Sequence, residues 1–261
     1  MFDYHMHSHV ALDGYDSGLD MALAAKAAGL KEICFTDHID HDCDAEGRSM
    51  VFDLDEYRAE YENLEVPGLK IRRGVEYGLK PYNKETMKQD LRQRHFDFVL
   101  GSVHFVKEQD IYYKPFWQDK TVEQAVREFL EETLLCVQHH EDYDVLGHLS
   151  YICKARAHPD PKPLYLKDHR EIVDEILKIL VQKGKGMEIN TSGVDRCGDF
   201  LPGEAFFRRF KELGGEIVTI GSDAHTASRV GQYSDRACGM LKDIFGYVCT
   251  FEDRKPIFHK L

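Results

Sequence analysis

The sequence lacks the features that mark an exported, membrane-spanning or disulfide-bonded protein. No apolar run approaches the roughly 18 residues of a transmembrane helix. The first residues have neither the basic start nor the apolar core of a signal peptide. The seven cysteines are odd in number and form no C-x-x-C pair, which argues against a disulfide framework and a thiolate zinc site. These absences predict a cytoplasmic protein with no membrane partner.

Positive charge is also scarce. The 34 lysines and arginines are outnumbered by 46 aspartates and glutamates, which gives a net charge of −12. This charge opposes the phosphate-backbone attraction on which most nucleic-acid binders depend. The most basic run, LKIRR at residues 69–73, is too short to form a strongly basic patch. We therefore expect no nucleic-acid partner.

Strand-like runs alternate with helical patterns, which predicts an α/β fold with a mostly parallel sheet. The predicted strands are 2–7, 32–36, 70–76, 96–102, 144–148, 186–190, 216–221 and 246–251. Capping boxes predict helix starts at Ser17 and Thr121, and a third helix begins beside Pro202. Seven or eight such units without a repeat or a long linker favour one barrel domain. The count alone leaves a doubly wound sheet open.

Histidine is concentrated at the first predicted strand. The segment FDYHMHSH, residues 2–9, contains three imidazoles. The period of a strand puts His5 and His7 on one side, about 6.6 Å apart. Two imidazoles at this spacing can share a metal ion if the strand end bends. A chance cluster at an exposed terminus is the alternative, and this segment alone does not decide between them.

Polar side chains also follow nearly all of the remaining predicted strands. They are Asp37, His38, Glu76, His104, His148, Asn190, Asp223 and His225. In a parallel barrel the carboxyl ends of the strands converge on one mouth. Burying so many ionisable groups there without metal would leave several unpaired. Imidazoles and carboxylates without thiolates suit zinc, iron or manganese, and their number exceeds the four ligands of one zinc, so we expect two or three divalent ions.

The order of these motifs resembles that of the polymerase and histidinol phosphatase (PHP) superfamily. The matching segments are HMH at 5–7, TDH at 36–38, Glu76, GSVH at 101–104, GH at 147–148 and GSDAH at 221–225. The segments GSVHF, IYYKPFWQ, LGHLSYICK and NTSG resemble its histidinol-phosphatase branch. The resemblance spans residues 1 to 225. It implies a distorted TIM-like (β/α)7 barrel, one domain over residues 1–261, with a trinuclear metal centre.

The resemblance also implies a ligand set for three metal ions. The first ion would bind His5, His7, Glu76 and Asp223. The second ion would share Glu76 and add His104 and His148. The third would bind Asp13, His38 and His225, although a turn before Gly14 explains Asp13 equally well. The implied catalytic residues are Glu76, Asp223 and His225, while the general acid stays unassigned.

Other residues near the implied metal ligands are expected to bind phosphate, to orient a ligand or to pack around the site. Arg156 and Arg196 lie in predicted loops at the mouth, where a guanidinium can bind two phosphate oxygens, and Lys154 is a further candidate. Asp37 is expected to orient a liganding imidazole, His9 to lie near the site without binding metal, and Trp117 either to cover the substrate or to pack. The histidines expected on the surface are His41, His95, His139, His140, His158, His169 and His259.

The implied reaction is hydrolysis of L-histidinol phosphate to L-histidinol and phosphate, a step of histidine biosynthesis, by a hydroxide that bridges two ions. A PHP-type phosphoesterase acting on another small phosphate ester or a nucleotide is the alternative. A third reading is an inactive barrel that binds metal or partners. Asp195 and Glu46 stay open as acidic groups for the amine and imidazole of histidinol, and the oligomeric state stays open.

Overall fold

Strands and helices alternate through the protein, whose computed structural model describes residues 1–43 and 49–261. The strands are β1 Phe2–Asp3, β2 Glu32–Phe35, β3 His38–Cys43, β4 Ser49–Val51, β5 Lys70–Gly78, β6 Phe98–Ser102, β7 Phe105–Val106, β8 Gln109–Asp110, β9 Val145–Leu146, β10 Gly186–Asn190, β11 Val218–Gly221, β12 Tyr247–Glu252 and β13 Lys255–Lys260. The helices are α1 Gly18–Ala27, α2 Leu54–Tyr61, α3 Lys84–Arg92, α4 Lys114–Trp117, α5 Val122–His139, α6 Arg170–Gln182, α7 Val194–Cys197, α8 Glu204–Glu212 and α9 Ser234–Ile244. Short 3-10 turns cover Tyr151–Lys154, Leu166–Asp168 and Ala227–Arg229.

Seven parallel strands pair in chain order, as β1-β2-β5-β6-β9-β10-β11. The first and last of them meet again through backbone hydrogen bonds. The Tyr4 N–H donates to the Ile220 carbonyl at 2.8 Å, and the Asp223 N–H donates to the His5 carbonyl at 2.7 Å. The sheet is therefore a nearly closed barrel with helices between its strands. The expected TIM-like (β/α)7 fold is confirmed.

Local sequence signals fix the helix ends as expected. The Ser17 hydroxyl accepts the Asp20 N–H at 3.1 Å and starts α1. Thr121 and Gln124 exchange hydrogen bonds between side chain and backbone, which forms the capping box of α5. The buried face of α5 then packs on the core with Val126, Phe129, Leu130 and Val137, among others. Among the described residues, no helix combines the length and the apolar composition needed to cross a bilayer.

The second barrel strand is broken at Thr36 and Asp37, a feature that the sequence did not predict. Strand β2 pairs with the first part of β5, and β3 pairs with its last part. In the second pairing His38 lies opposite Glu76. The break therefore brings an imidazole beside the carboxylate at the end of β5.

The predicted strand at 246–251 forms, as β12, but it lies outside the barrel. It pairs antiparallel with β13, so it belongs to a terminal hairpin and not to an eighth β/α unit. The Tyr4 hydroxyl donates to Glu32 at 2.6 Å and accepts the Phe251 N–H at 2.9 Å. Arg254 binds the Asp144 carboxylate at 2.5 Å. Because Glu32 opens β2 and Asp144 precedes β9, the hairpin covers the amino-terminal end of the barrel.

We expect Tyr4→Phe to lower the free energy of unfolding by about 1–3 kcal/mol, because it leaves the buried N–H of Phe251 without its acceptor and removes one of the donors to Glu32. Urea denaturation would measure the change. Tyr165→Phe is the matched control, since Tyr165 is 54% exposed, and its effect should stay within about 0.5 kcal/mol. Equal losses in the two variants would contradict the proposed anchoring of the hairpin.

Candidate metal centre

The polar residues that follow the strands meet at the carboxyl end of the barrel. His38 and Glu76 lie in β3 and β5; His5, His7 and Asp13 follow β1, His104 follows β6, His148 follows β9, and Asp223 and His225 follow β11. Asp13 and His225 are partly exposed, and the other seven are buried. Most of the set lines a cavity of about 60 Å³. The structure therefore brings all nine residues together, as the resemblance implied.

Glu76 lies at the middle of this cluster and faces two pairs of imidazoles. Its Oε2 atom is 3.1 Å from Nε2 of His5 and 3.4 Å from Nε2 of His7. Its Oε1 atom is 2.8 Å from Nε2 of His148 and 3.2 Å from Nε2 of His104. One carboxylate thus connects two groups of nitrogen ligands, which is the geometry of a bridging ligand.

The imidazoles of each pair also face each other. His5 and His7 approach within 3.2 Å through their Nε2 atoms, and His104 and His148 within 3.5 Å. Two facing ring nitrogens can share only one proton, whereas a cation between them accepts both lone pairs. The residues present therefore fit divalent metal ions of the zinc, iron or manganese type.

A third group of donors lies at the rim of the cavity. The Oδ2 atom of Asp13 is 3.0 Å from Nε2 of His225 and 3.6 Å from Nε2 of His38. The ring of His7 stacks on both His38 and His225, with centroid distances of 4.4 Å. Asp13 therefore lies with the imidazoles, as expected for a ligand, in addition to its place in a turn.

The backbone turn after β11 positions Asp223. Its φ of +53° lies in the left-handed region, which is costly for a residue other than glycine. The Oδ1 atom of Asp223 is 3.6 Å from Nε2 of both His5 and His7. A strained turn at this point thus brings the last carboxylate of the motif series onto the first two histidines.

Electrostatics separates the roles of these groups. Burial raises the pKa of Glu76, but the imidazoles of His5 and His104 outweigh it and hold the pKa well below its usual value. Burial also opposes protonation of His104, yet Asp40 and Glu76 raise its pKa to about 10. His7 differs, because burial and the nearby imidazoles lower its pKa to about 3. His7 is therefore neutral and offers a lone pair.

Glu188 is a buried carboxylate that the sequence analysis missed. Its Oε1 atom is 2.6 Å from Nδ1 of His5, and its Oε2 atom accepts the backbone N–H of His148 at 2.7 Å. A Cβ atom on Gly221 would lie only 2.2 Å from Glu188 Oε1, so this glycine leaves room for the carboxylate. The signal was the strand period, which puts Glu188 on the same face as Asn190.

Asp40 is the second missed carboxylate. It lies 3.0 Å from Nδ1 of His104 and 3.3 Å from Nδ1 of His38. The available signal was its i+2 spacing from His38 in an extended segment. Asp37, the residue expected to orient an imidazole, instead accepts the Ser8 N–H at 2.9 Å and the Tyr61 hydroxyl at 2.6 Å. That expectation is wrong, since neighbouring residues of an extended chain point to opposite sides.

The two arginines expected at the phosphate lie beside each other on the surface. Arg196 lies in the short helix α7 and donates to the carbonyls of Ala155 at 3.3 Å and Arg156 at 3.1 Å, so α7 meets the segment that follows the 3-10 turn Tyr151–Lys154 at the mouth of the barrel. Both side chains are exposed, and the described lining of the cavity includes Lys154 but neither arginine.

Residues outside the cluster have their own partners. His9 is exposed, and its Nε2 atom lies 3.5 Å from Glu60, away from the carboxylates of the cluster. Trp117 donates to the Ile111 carbonyl at 2.8 Å and lies 4.8 Å from the ring of His158, which is a packing role. The expected exposure is wrong for His158 and for His140, which are buried. His140 approaches the Lys80 carbonyl at 2.7 Å, so a hydrogen bond accompanies its burial.

Comparison with known proteins identifies the family. The PHP domain family matches residues 3–192. The chain belongs to the PHP family. The histidinol-phosphatase of Lactococcus lactis subsp. lactis (strain IL1403) is 35% identical over 97% of this chain and 95% of its own length. A probable histidinol-phosphatase of Clostridium acetobutylicum is 33% identical, with coverage of 99% of this chain and 96% of its own.

A solved structure has the same PHP fold. It is the crystal structure of histidinol phosphate phosphatase from Lactococcus lactis, complexed with zinc, L-histidinol and phosphate. It superposes with a TM-score of 0.86 at 32% identity and covers 98% of both chains. The predicted resemblance to the PHP superfamily and its histidinol-phosphatase branch is confirmed.

We expect Glu188→Gln to weaken zinc binding by about 10- to 100-fold, because the amide lacks the charge that fixes the imidazole of His5. Competition with a chromophoric chelator, starting from metal-free protein, would measure this affinity. Glu85→Gln is the control, since Glu85 forms an exposed pair with Lys88 at 2.9 Å. If both variants bound zinc like the unchanged protein, Glu188 would have no role in the PHP centre.

Proposed function

We propose that this PHP protein is a metal-dependent phosphomonoesterase that hydrolyses L-histidinol phosphate to L-histidinol and phosphate. The bridging position of Glu76 between two imidazole pairs carries the proposal, since it suits two adjacent cations facing one phosphoryl group. The similarity to the Lactococcus lactis histidinol-phosphatase over nearly the full length supports this substrate.

We further propose that the centre holds two or three divalent ions. The first would bind His5, His7, Glu76 and Asp223; the second would bind Glu76, His104 and His148; and the third would bind Asp13, His38 and His225. Groups of three or four ligand atoms that lie within 4.8 Å of one another overlap with each of these sets, which supports the sets in part. Zinc is favoured by the ion in the Lactococcus lactis complex, and manganese and iron suit the same ligands.

Divalent ions bound here would acidify coordinated water and neutralise charge on the phosphoryl oxygens. Glu76 would hold the two ion sites adjacent, and the buried imidazoles would fix their geometry. We assign catalytic roles to Glu76, Asp223 and His225. Lys154 supplies a positive charge in the cavity, and Arg156 and Arg196 are proposed to approach the phosphate from the adjoining segments at the mouth of the barrel.

The structure also bears on the domain organisation and the cellular compartment of the protein. We propose one PHP domain over residues 1–261, since the terminal hairpin is bonded to Tyr4 at the end of the barrel. Six cysteines of the described part of the chain are free thiols, five of them buried. This supports a reducing compartment such as the cytoplasm.

The proposed substrate is tested by measuring phosphate release on protein of known metal content. We expect L-histidinol phosphate to be hydrolysed with the highest kcat/KM of a panel that includes other phosphomonoesters, a cyclic nucleotide and a phosphodiester. Turnover of another small phosphate alone would keep the metal chemistry and overturn the substrate. Metal binding without any turnover would favour a binding module.

We expect Glu76→Gln to lower kcat/KM by at least about 100-fold, because the amide bridges cations poorly and about 3 kcal/mol of charge stabilisation is lost. His5→Ala should act in the same direction. His139→Ala is the control, since His139 is exposed at the end of α5 and should leave the rate unchanged. A Glu76 variant with normal kcat/KM would overturn the bridging role.

Metal removal should abolish the activity reversibly. After dialysis against a chelator, we expect no measurable phosphate release, and we expect added zinc, manganese or iron to restore it. Elemental analysis of the restored protein should give two or three ions per chain. Full activity of metal-free protein would contradict the proposed chemistry.

A further inference from the structure

Lys154 is a largely buried cation that the ligand set leaves without a defined role. It closes the 3-10 turn Tyr151–Lys154, and its side chain is 14% exposed. Its ammonium group donates to the Oδ2 atom of Asp223 and, at 2.9 Å, to the hydroxyl of Ser192. Lys154 thus contacts a proposed metal ligand directly and lies in the wall of the cavity.

The two oxygens of Asp223 have different surroundings. Oδ2 accepts from Lys154 and from the amide of Asn190 at 3.1 Å, while the Ser192 hydroxyl, 3.2 Å away, donates its single proton to Oδ1 of Asn190 at 2.6 Å. Oδ1 faces the imidazoles, at 3.6 Å from His5 and His7. One oxygen is therefore held by the 3-10 turn after β9 and the end of β10, and the other is presented to the cluster.

We propose that Lys154 is a positioning residue of the metal centre, which fixes Asp223 with Oδ1 directed at the ion shared with His5 and His7. This inference rests on the proposed metal centre. A carboxylate can rotate about its terminal bond, and the two donors on Oδ2, Lys154 and the Asn190 amide, select one orientation. Of these two, Lys154 carries the formal positive charge, so its bond is the stronger.

The role of Lys154 is distinct from direct binding of phosphate. A positioning residue acts on metal affinity in the absence of substrate, because its contact is with the ligand Asp223. A phosphate-binding lysine would act on KM and leave the binding of metal alone unchanged. The two roles therefore separate in one pair of measurements.

The test uses metal-free full-length protein and zinc alone. We expect Lys154→Met to weaken the binding of at least one zinc ion by about 10- to 100-fold in chelator competition, and Lys154→Arg to recover most of the affinity. Lys162→Met is the matched control, because Lys162 is 66% exposed and pairs with Asp160 on the following loop. Thermal unfolding of the metal-free variants checks that each one folds.

Cobalt substitution adds a spectroscopic readout. Rotation of Asp223 should change the visible absorption of the cobalt-loaded Lys154→Met variant, and Lys154→Arg should restore the original spectrum. Unchanged zinc affinity and an unchanged cobalt spectrum, with a raised KM for phosphomonoesters, would overturn the proposal and assign Lys154 to phosphate. Since zinc binding is measured without substrate, a wrong substrate assignment leaves the result intact, whereas absence of zinc binding by the unchanged protein would overturn the metal centre itself.

Discussion

The carboxylate of Glu76 is the interaction on which the rest of the site depends. It is 1% exposed, and its two oxygens face five imidazoles from four different segments, since His38 Nδ1 lies 3.3 Å from Oε2 in addition to the two pairs. A buried carboxylate of this kind is stable only when opposite charge or donors surround it. Strand β5 makes this possible because it extends to Gly78 and pairs with β3 on one side and β6 on the other. The register between the strands therefore determines which imidazoles lie beside Glu76.

The closure of the barrel brings together residues that lie far apart in sequence. Backbone bonds between the segments after β1 and β11 put Asp223 beside His5. At the other end, Phe251 of the terminal hairpin is buried in one apolar cluster with Tyr4 and donates its N–H to the Tyr4 hydroxyl. The hairpin therefore shields this end of the barrel from water. It thus covers the amino-terminal end, and the candidate metal ligands lie at the carboxyl end, where parallel barrels place their chemistry.

The sequence pattern was sufficient to predict a mostly parallel α/β fold with polar side chains converging at its strand ends. The (β/α)7 barrel and the full set of nine ligands, Asp13 included, were implied by the resemblance to the PHP superfamily. The sequence was insufficient for Glu188 and Asp40, because their partners are set by the register between strands that are distant in sequence. The break before His38 and the antiparallel pairing of β12 have the same origin. His140 and His158 were misplaced because a hydrogen bond or an aromatic neighbour allows burial that composition alone does not reveal.

Glu188 and Glu76 together make the two imidazole pairs a single unit. Glu76 touches both pairs from the cavity side, at His5 and at His148. Glu188 contacts the same two residues at different atoms, namely Nδ1 of His5 and the backbone N–H of His148. His5 and His148, which come from opposite halves of the chain, are therefore connected through both carboxylates, so a shift of either residue is opposed at two buried contacts.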